Sequence, residues 1–217
     1  RHVTLTVVNP LHVDIWGVNI ATPHVSESSS DVQIVTTINN EAKTNSTATL
    51  LTQLIDAKGK IVSSSKTNVE VSINAKTESK QTLTLSSPKL WSPQSPYLYT
   101  AKTTVFIENK PVDVVTTTFG VREIKIDAEK GLLINGVSVK LKGGCMHHDN
   151  GPLGSVAIDR AEERKIELLK ANGFNAIRTS HNPPSTALLD VCDRLGMLVL
   201  DEAFDVWNKQ KRFKKCE

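Results

Sequence analysis

Residues 139 to 152 read VKLKGGCMHHDNGP, a β-branched run that passes through two glycines into two histidines and an aspartate. The pattern predicts a short strand, placed at residues 137 to 144, that ends in a polar site. Two later stretches repeat it: residues 174 to 184, FNAIRTSHNPP, and residues 197 to 207, MLVLDEAFDVW. In each, an apolar run stops at ionisable residues. These are His147, His148 and Asp149 in the first stretch, Arg178 and His181 in the second, and Asp201, Glu202 and Asp205 in the third.

The segments between these runs have helical character. Asp159 with Glu162 three positions later resembles a capping box, and residues 160 to 172 carry helix formers with Ile166 and Leu169 on one face before Gly173 stops them. Leu188, Val191, Cys192 and Leu195 fall at i, i+3, i+4 and i+7, the clearest periodic signal in the chain. Pro183 and Pro184 suit the first turn of that helix after an Asn182 cap, and Gly196 suits its end. The resulting order, β-α-β-α-β, demands parallel strands. Ligands of parallel α/β folds bind beyond the carboxyl ends of the strands, which puts His147, His148, His181, Asp201 and Glu202 on one rim.

Taken singly, each of these residues has a plainer reading. A histidine at a strand end is commonly a satisfied structural group, and Asp201-Glu202 could cap a following helix. Three consecutive ionisable ends are what point to function. His147, His148, Asp149 and His181 offer nitrogen and oxygen ligands for a metal, but adjacent residues on a strand face opposite ways, so His147 and His148 share an ion only if the strand has already ended. Cys145 as a nucleophile lacks an identifiable base.

Upstream, residues 23 to 120 read as all β, with strands near 32–38, 47–55, 60–69, 81–85, 100–107 and 112–119 separated by turn clusters such as Asp56-Ala57-Lys58-Gly59. Six or seven short strands in about 100 residues predict a two-sheet sandwich of immunoglobulin type. The stretch LWSPQSPYLY at residues 90 to 99 gathers Trp91 and both tyrosines around two prolines, as expected of a rigid crossing whose rings plug the core. Residues 131 to 137 read as a hairpin turned at Asn135-Gly136. Residues 1 to 22 hold one or two strands, assigned either to a preceding domain or to the sandwich.

Composition narrows the function classes. With 217 residues, 39% of them hydrophobic and 23% charged, the chain is globular, and a net charge of +3 gathered around Lys209, Lys211, Arg212, Lys214 and Lys215 is not the broad basic face of a nucleic-acid binder. No run has membrane-spanning length. Three cysteines without metal spacing suggest neither a disulfide framework nor a zinc site, and leave the compartment open.

Six stretches together resemble a known family. RHVTL at the start, LWSPQSPYLYT, TTFGVREI, LLINGVSVKLKGGCMHHDNGPLG, NAIRTSHNPPS and CDRLGMLVLDEAFDVW are similar, in order, to the glycoside hydrolases of family two, particularly its β-galactosidases. The resemblance implies a fold class of multidomain β plus α/β. Residues 1–22 would be terminal strands of a jelly-roll sugar-binding-type domain, 23–121 an immunoglobulin-like β-sandwich, and 122–217 a truncated (β/α)8 TIM barrel with its first three strands. It further implies that His148 and His181 line a substrate pocket, that Arg178 supports it, and that Asp201 and Glu202 form the acidic end of the third strand.

Family members are retaining β-glycosidases that use a general acid/base glutamate in an Asn-Glu pair at the fourth strand and a glutamate nucleophile further on. The only Asn-Glu pair here is Asn40-Glu41, within the sandwich, and Val206 falls near the place of the family's metal-binding glutamate. The expectation is therefore part of a β-galactosidase-like enzyme, inactive alone, with no catalytic residue, metal ligand or cofactor of its own. The family's full enzymes leave room for a divalent cation. Expected partners are a carbohydrate substrate in the full-length enzyme, no nucleic acid and no membrane, with self-association or partial disorder at the open barrel edge. The alternative is a non-catalytic carbohydrate- or protein-binding β-sandwich module.

Overall fold

The computed structural model describes residues 2–204. Seven antiparallel strands come first: β1 (Leu11–Val25), β2 (Ser29–Asn40), β3 (Ser46–Ile55), β4 (Ile61–Val71), β5 (Ala75–Ser86), β6 (Tyr99–Ile107) and β7 (Lys110–Phe119). They form a three-stranded sheet ordered β1-β2-β5 and a four-stranded sheet ordered β4-β3-β6-β7. Strict alternation drives this. Val32, Ile34, Thr36 and Ile38 of β2 and Ala48, Leu50, Thr52 and Leu54 of β3 are all fully buried, while their sequence neighbours face outward.

The core between the sheets has two apolar lobes. One gathers Val32, Ile34, Leu54, Leu83, Leu85, Tyr99 and Phe119; the other gathers Leu11, Val13, Ile38, Leu50, Val69, Val71 and Val105. Four buried polar side chains, Thr36, Thr52, Gln81 and Thr103, belong to neither lobe. Thr52 Oγ1 donates to Gln81 Oε1 at 2.6 Å, and the Gln81 amide donates to Thr67 Oγ1 at 3.2 Å and Ser65 Oγ at 3.4 Å.

The aromatic crossing plugs the sandwich. Trp91 is 1% exposed, with the Arg122 guanidinium 4.6 Å from its ring centroid and its backbone amide donating to Val121 O at 2.8 Å. Tyr97 meets Tyr99 edge-on at 5.0 Å, and Tyr99 stacks on Phe119 at 5.8 Å. With its indole enclosed, Trp91 presents no platform for a sugar, as expected of a ring that plugs the core.

A small sheet follows, ordered β10-β9-β8, from β8 (Ile124–Asp127), β9 (Gly131–Ile134) and β10 (Val137–Ser138). Asn135 and Gly136 turn the β9-β10 hairpin with φ of 51° and 77°, the positive values that made this dipeptide a turn signal.

The last part is a parallel sheet, ordered β11-β12-β13, built from β11 (Gly143–Met146), β12 (Ala176–Thr179) and β13 (Leu198–Leu200). Helices α1 (Asp159–Ala171) and α2 (Thr186–Leu195) make the two connections. Ile166, Ile177, Leu188, Val191, Cys192 and Met197 form its core, so the periodic residues of α2 face the sheet as expected. Gly196 closes α2 in the left-handed conformation at φ 73°, with Met197 N donating to Cys192 O at 2.8 Å.

The chain divides into two compact units, Thr4–Val139 and residues 140–204 joined by residues 2 and 3. Several expectations need correction. Residues 11 to 22 belong to the sandwich: β1 pairs with β2 from Leu11↔Asn40 to Val25↔Ser30, and Leu11 and Val13 are buried in its core. The single strand expected at 137–144 is two, β10 and β11, because the Asn175 side chain takes the backbone between them, accepting from Lys142 N at 2.7 Å and donating to Lys140 O at 2.9 Å.

The helix caps differ as well. Ser185, not Asn182, caps α2, its Oγ accepting from Leu188 N at 3.2 Å. Asn182 and Pro183 each precede a proline, which disfavours the helical region and delays the start. At α1 the cap position is Ile158, with no side-chain bond, and Asp159 is already helical. Glu162 does not reach back to a cap; it is 1% exposed and engaged elsewhere.

Candidate functional site

Parallel pairing brings the three strand ends together. Gly143 pairs with Ala176 and Met146 with Thr179, while Arg178 pairs with Leu200, so the residues following Met146, Thr179 and Leu200 emerge at one edge. Strand β11 ends at Met146, and Ser180 N donates to Met146 O at 2.9 Å. His147 and His148 are thus beyond the strand and free of its alternation. The Ser180–His181 peptide bond is cis.

Glu202 organises this edge. One carboxylate oxygen takes the Arg178 guanidinium, and the other lies 3.2 Å from His181 Nδ1. Thr179 supports the neighbouring residue: its hydroxyl donates to Asp201 Oδ1 at 2.8 Å and accepts from Glu202 N at 3.2 Å. Both acidic residues are thereby fixed to β12, the strand that carries Arg178 and ends two residues before His181.

The histidine that meets His181 is His147. Their rings pack edge to face with centroids 5.5 Å apart. His148 lines a hollow with His147, Glu162, Lys165, Thr179 and Ser180. Sequence reasoning grouped these elements but did not say which of two adjacent rings meets His181, because the loop after β11 settles that. It also missed Thr179, whose position directly after Arg178 at the end of a strand was its only sequence signal.

Among the described residues no group of three or more His, Cys, Asp or Glu is placed to hold a metal ion, and Asp149 spends Oδ1 on Gly151 N at 2.9 Å. Asp205, Val206, Trp207 and the lysine-rich segment at 209–215 lie outside the described residues. No helix among those described is long and apolar enough to cross a membrane.

Cys145 lies on the same edge. The Ser180 hydroxyl and the Arg178 guanidinium, whose Nη1 is 3.3 Å from the sulfur, hold its thiol below the usual range. The Cys145 sulfur and the Glu202 carboxylate in turn hold Arg178 more firmly protonated. Arginine cannot accept the thiol proton, so Arg178 lowers the Cys145 thiol by its charge and hydrogen bond and not as a general base. Burial pushes the Cys192 thiol up to about 12. At pH 8 that leaves about one thiolate in ten thousand at Cys192. In a Cys216→Ser background, iodoacetamide is expected to modify Cys145 and spare Cys192 until the protein is denatured. Comparable labelling of both by mass spectrometry would contradict the assignment.

Known proteins share this sequence and fold. The family model described as glycosyl hydrolases family 2 matches residues 13–122, and that of the family's TIM barrel domain matches residues 124–217. The β-galactosidase BoGH2A of Bacteroides ovatus is 42% identical over 211 residues, covering 97% of this chain and 25% of that protein. Among solved structures, a family 2 glycosyl hydrolase from Bacteroides cellulosilyticus superposes with a TM-score of 0.88 at 46% identity, covering 90% of this chain and 27% of the other. A β-glucuronidase of Bacteroides uniformis does so with a TM-score of 0.85 at 30% identity, covering 93% and 25%. The chain spans about a quarter of the length of each of these relatives. The 217 residues belong to the glycosyl hydrolases of family 2, and comprise that family's immunoglobulin-like domain and the opening strands of its TIM barrel.

Proposed function

We propose that this chain is part of a retaining β-glycosidase acting on terminal β-galactosides, and that His148, His181, Arg178, Asp201 and Glu202 form one side of its sugar pocket. The carrying observation is that Glu202 engages Arg178 and His181 at once, while Thr179 fixes Asp201 beside it. A sugar is recognised through hydroxyls, which need rigid acceptors and ring N–H donors placed beforehand.

Relatives include both β-galactosidases and β-glucuronidases. Charge favours the neutral sugar. A glucuronide brings a carboxylate that needs an unspent cation, whereas the Arg178 charge is met by Glu202 and Asp201 adds a second negative group. Bond cleavage requires two carboxyl groups about 5 Å apart across the glycosidic bond, one as acid and one as nucleophile. Here both Glu202 oxygens are occupied by cationic or ring partners, and the sole Asn-Glu pair, Asn40-Glu41, is in the sandwich. The chain by itself therefore binds without cleaving.

Two measurements check this. Nitrophenyl β-galactoside is expected to give no turnover above the uncatalysed rate. Galactose is expected to shift the His181 ring resonances with a Kd on the order of 1–10 mM, and glucuronate to bind at least roughly tenfold more weakly. Equal or tighter binding of glucuronate would overturn the galactoside assignment, and silence toward both sugars would overturn the pocket.

A further inference from the structure

Between β11 and α1 the chain runs from His147 to Ile158 with little apolar anchorage. Residues 151 to 156 are all exposed, and the one regular piece is a single 3-10 turn at Gly151–Leu153. This loop nonetheless carries the ring that packs on His181. Polar bonds must therefore hold it.

They converge on one buried carboxylate. Glu162, in the first turn of α1, is 1% exposed. Its Oε1 accepts from Asn150 Nδ2 at 3.0 Å, and its Oε2 pairs with Lys165 Nζ at 3.1 Å. The same Asn150 amide donates to Val156 O at 2.9 Å, and the Asn150 backbone amide donates to Gly154 O at 2.8 Å. Asn150 thus ties both limbs of the loop to the helix. Lys165 also reaches the Asp149 carbonyl at 3.5 Å, one residue nearer the histidines.

Burying a paired charge contributes little net stability compared with an apolar pair, so the arrangement is better explained by the geometry it fixes. We infer that Asn150 and Glu162 are positioning residues for the histidine pair: they fix the loop after β11 and, through it, the His147 ring against His181. Their effect is transmitted along the backbone through Asp149 and His148, the two residues between Asn150 and His147.

The test uses the full 217-residue protein, without sugar, and reads the nuclear Overhauser contact between the His147 and His181 ring protons together with amide hydrogen exchange. Asn150→Ala is expected to abolish the ring contact and to speed exchange at Leu153 and Gly154 roughly tenfold, while α1 and β12 amides stay within about twofold of the parent. Glu162→Ala is expected to do the same, and Glu162→Gln, which keeps an acceptor for the Asn150 amide, to restore the contact. Retention of the ring contact in Asn150→Ala would overturn the inference. So would its loss only alongside a general loss of α1 protection, because that is the signature of a pair that merely stabilises the helix. Since no sugar is present, the sugar-pocket reading can fail while this one stands, and the reverse.

Discussion

Gly143→Ala is expected to unfold the β/α unit while leaving the sandwich standing. A Cβ at residue 143 would lie 2.1 Å from the Ala176 carbonyl oxygen and 2.7 Å from its carbonyl carbon, distances at which backbone must move. Strand β12 cannot retreat, because β13 pairs along its other side and Ile177 is packed among the helices. The expected cost is about 3 kcal/mol or more, the range of forced overpacking in a tight interior. The adjacent Gly144 is the control, since a Cβ there meets nothing within 4 Å. Amide exchange reads both units at once: Gly143→Ala should lose protection across Ala176–Thr179 and keep it across β2 and β3. Equal stability of Gly143→Ala and Gly144→Ala would refute the argument.

The second large effect belongs to the sandwich. Asn40 is 0% exposed and uses its whole amide: Nδ2 donates to Thr44 O at 2.9 Å, Val71 O at 3.1 Å and Ser72 O at 3.3 Å, while Oδ1 accepts from Ala42 N at 3.0 Å. These bonds stitch the β2–β3 turn to the end of β4. Asn40→Ala strands several backbone groups where water reaches poorly, at an expected cost of about 3 kcal/mol. Asn39→Ala, which loses one exposed bond to Glu41, should cost less than about 0.5 kcal/mol. Urea midpoints of the two variants decide it, and similar midpoints would sink the claim. The Asn40-Glu41 pair that drew attention as the only one of its kind thus has a structural task.

What could be read from residues alone follows from where the deciding forces act. The β-α-β-α-β order, the Gly196 stop and the Asn135-Gly136 turn depend on local periodicity and backbone preference, and all three appear in the structure. The gathering of Arg178, His181, Asp201 and Glu202 followed from topology, since parallel strands must end on one side. Errors arose where distant contacts decide. Residues 11 to 22 joined the sandwich because β2 offers Leu11 and Val13 a core, which no local pattern announces. Glu162 carried the spacing of a capping box, yet a loop folded over it and buried it. That the His147 ring packs on His181 was likewise beyond local pattern: His147 and His148 are equivalent as letters and are distinguished only by the path of the backbone after Met146.

The polar residues that divide the sandwich core bear on alignment. Two apolar lobes filled with interchangeable valines, leucines and isoleucines would tolerate sliding β5 by two residues along β2, since every side chain would keep its face. A slide that brings Gln81 opposite Val32 would carry it in among aliphatic groups and away from Thr52 and Thr67, stranding its amide in a dry interior. One glutamine thereby acts as a stop against misthreading.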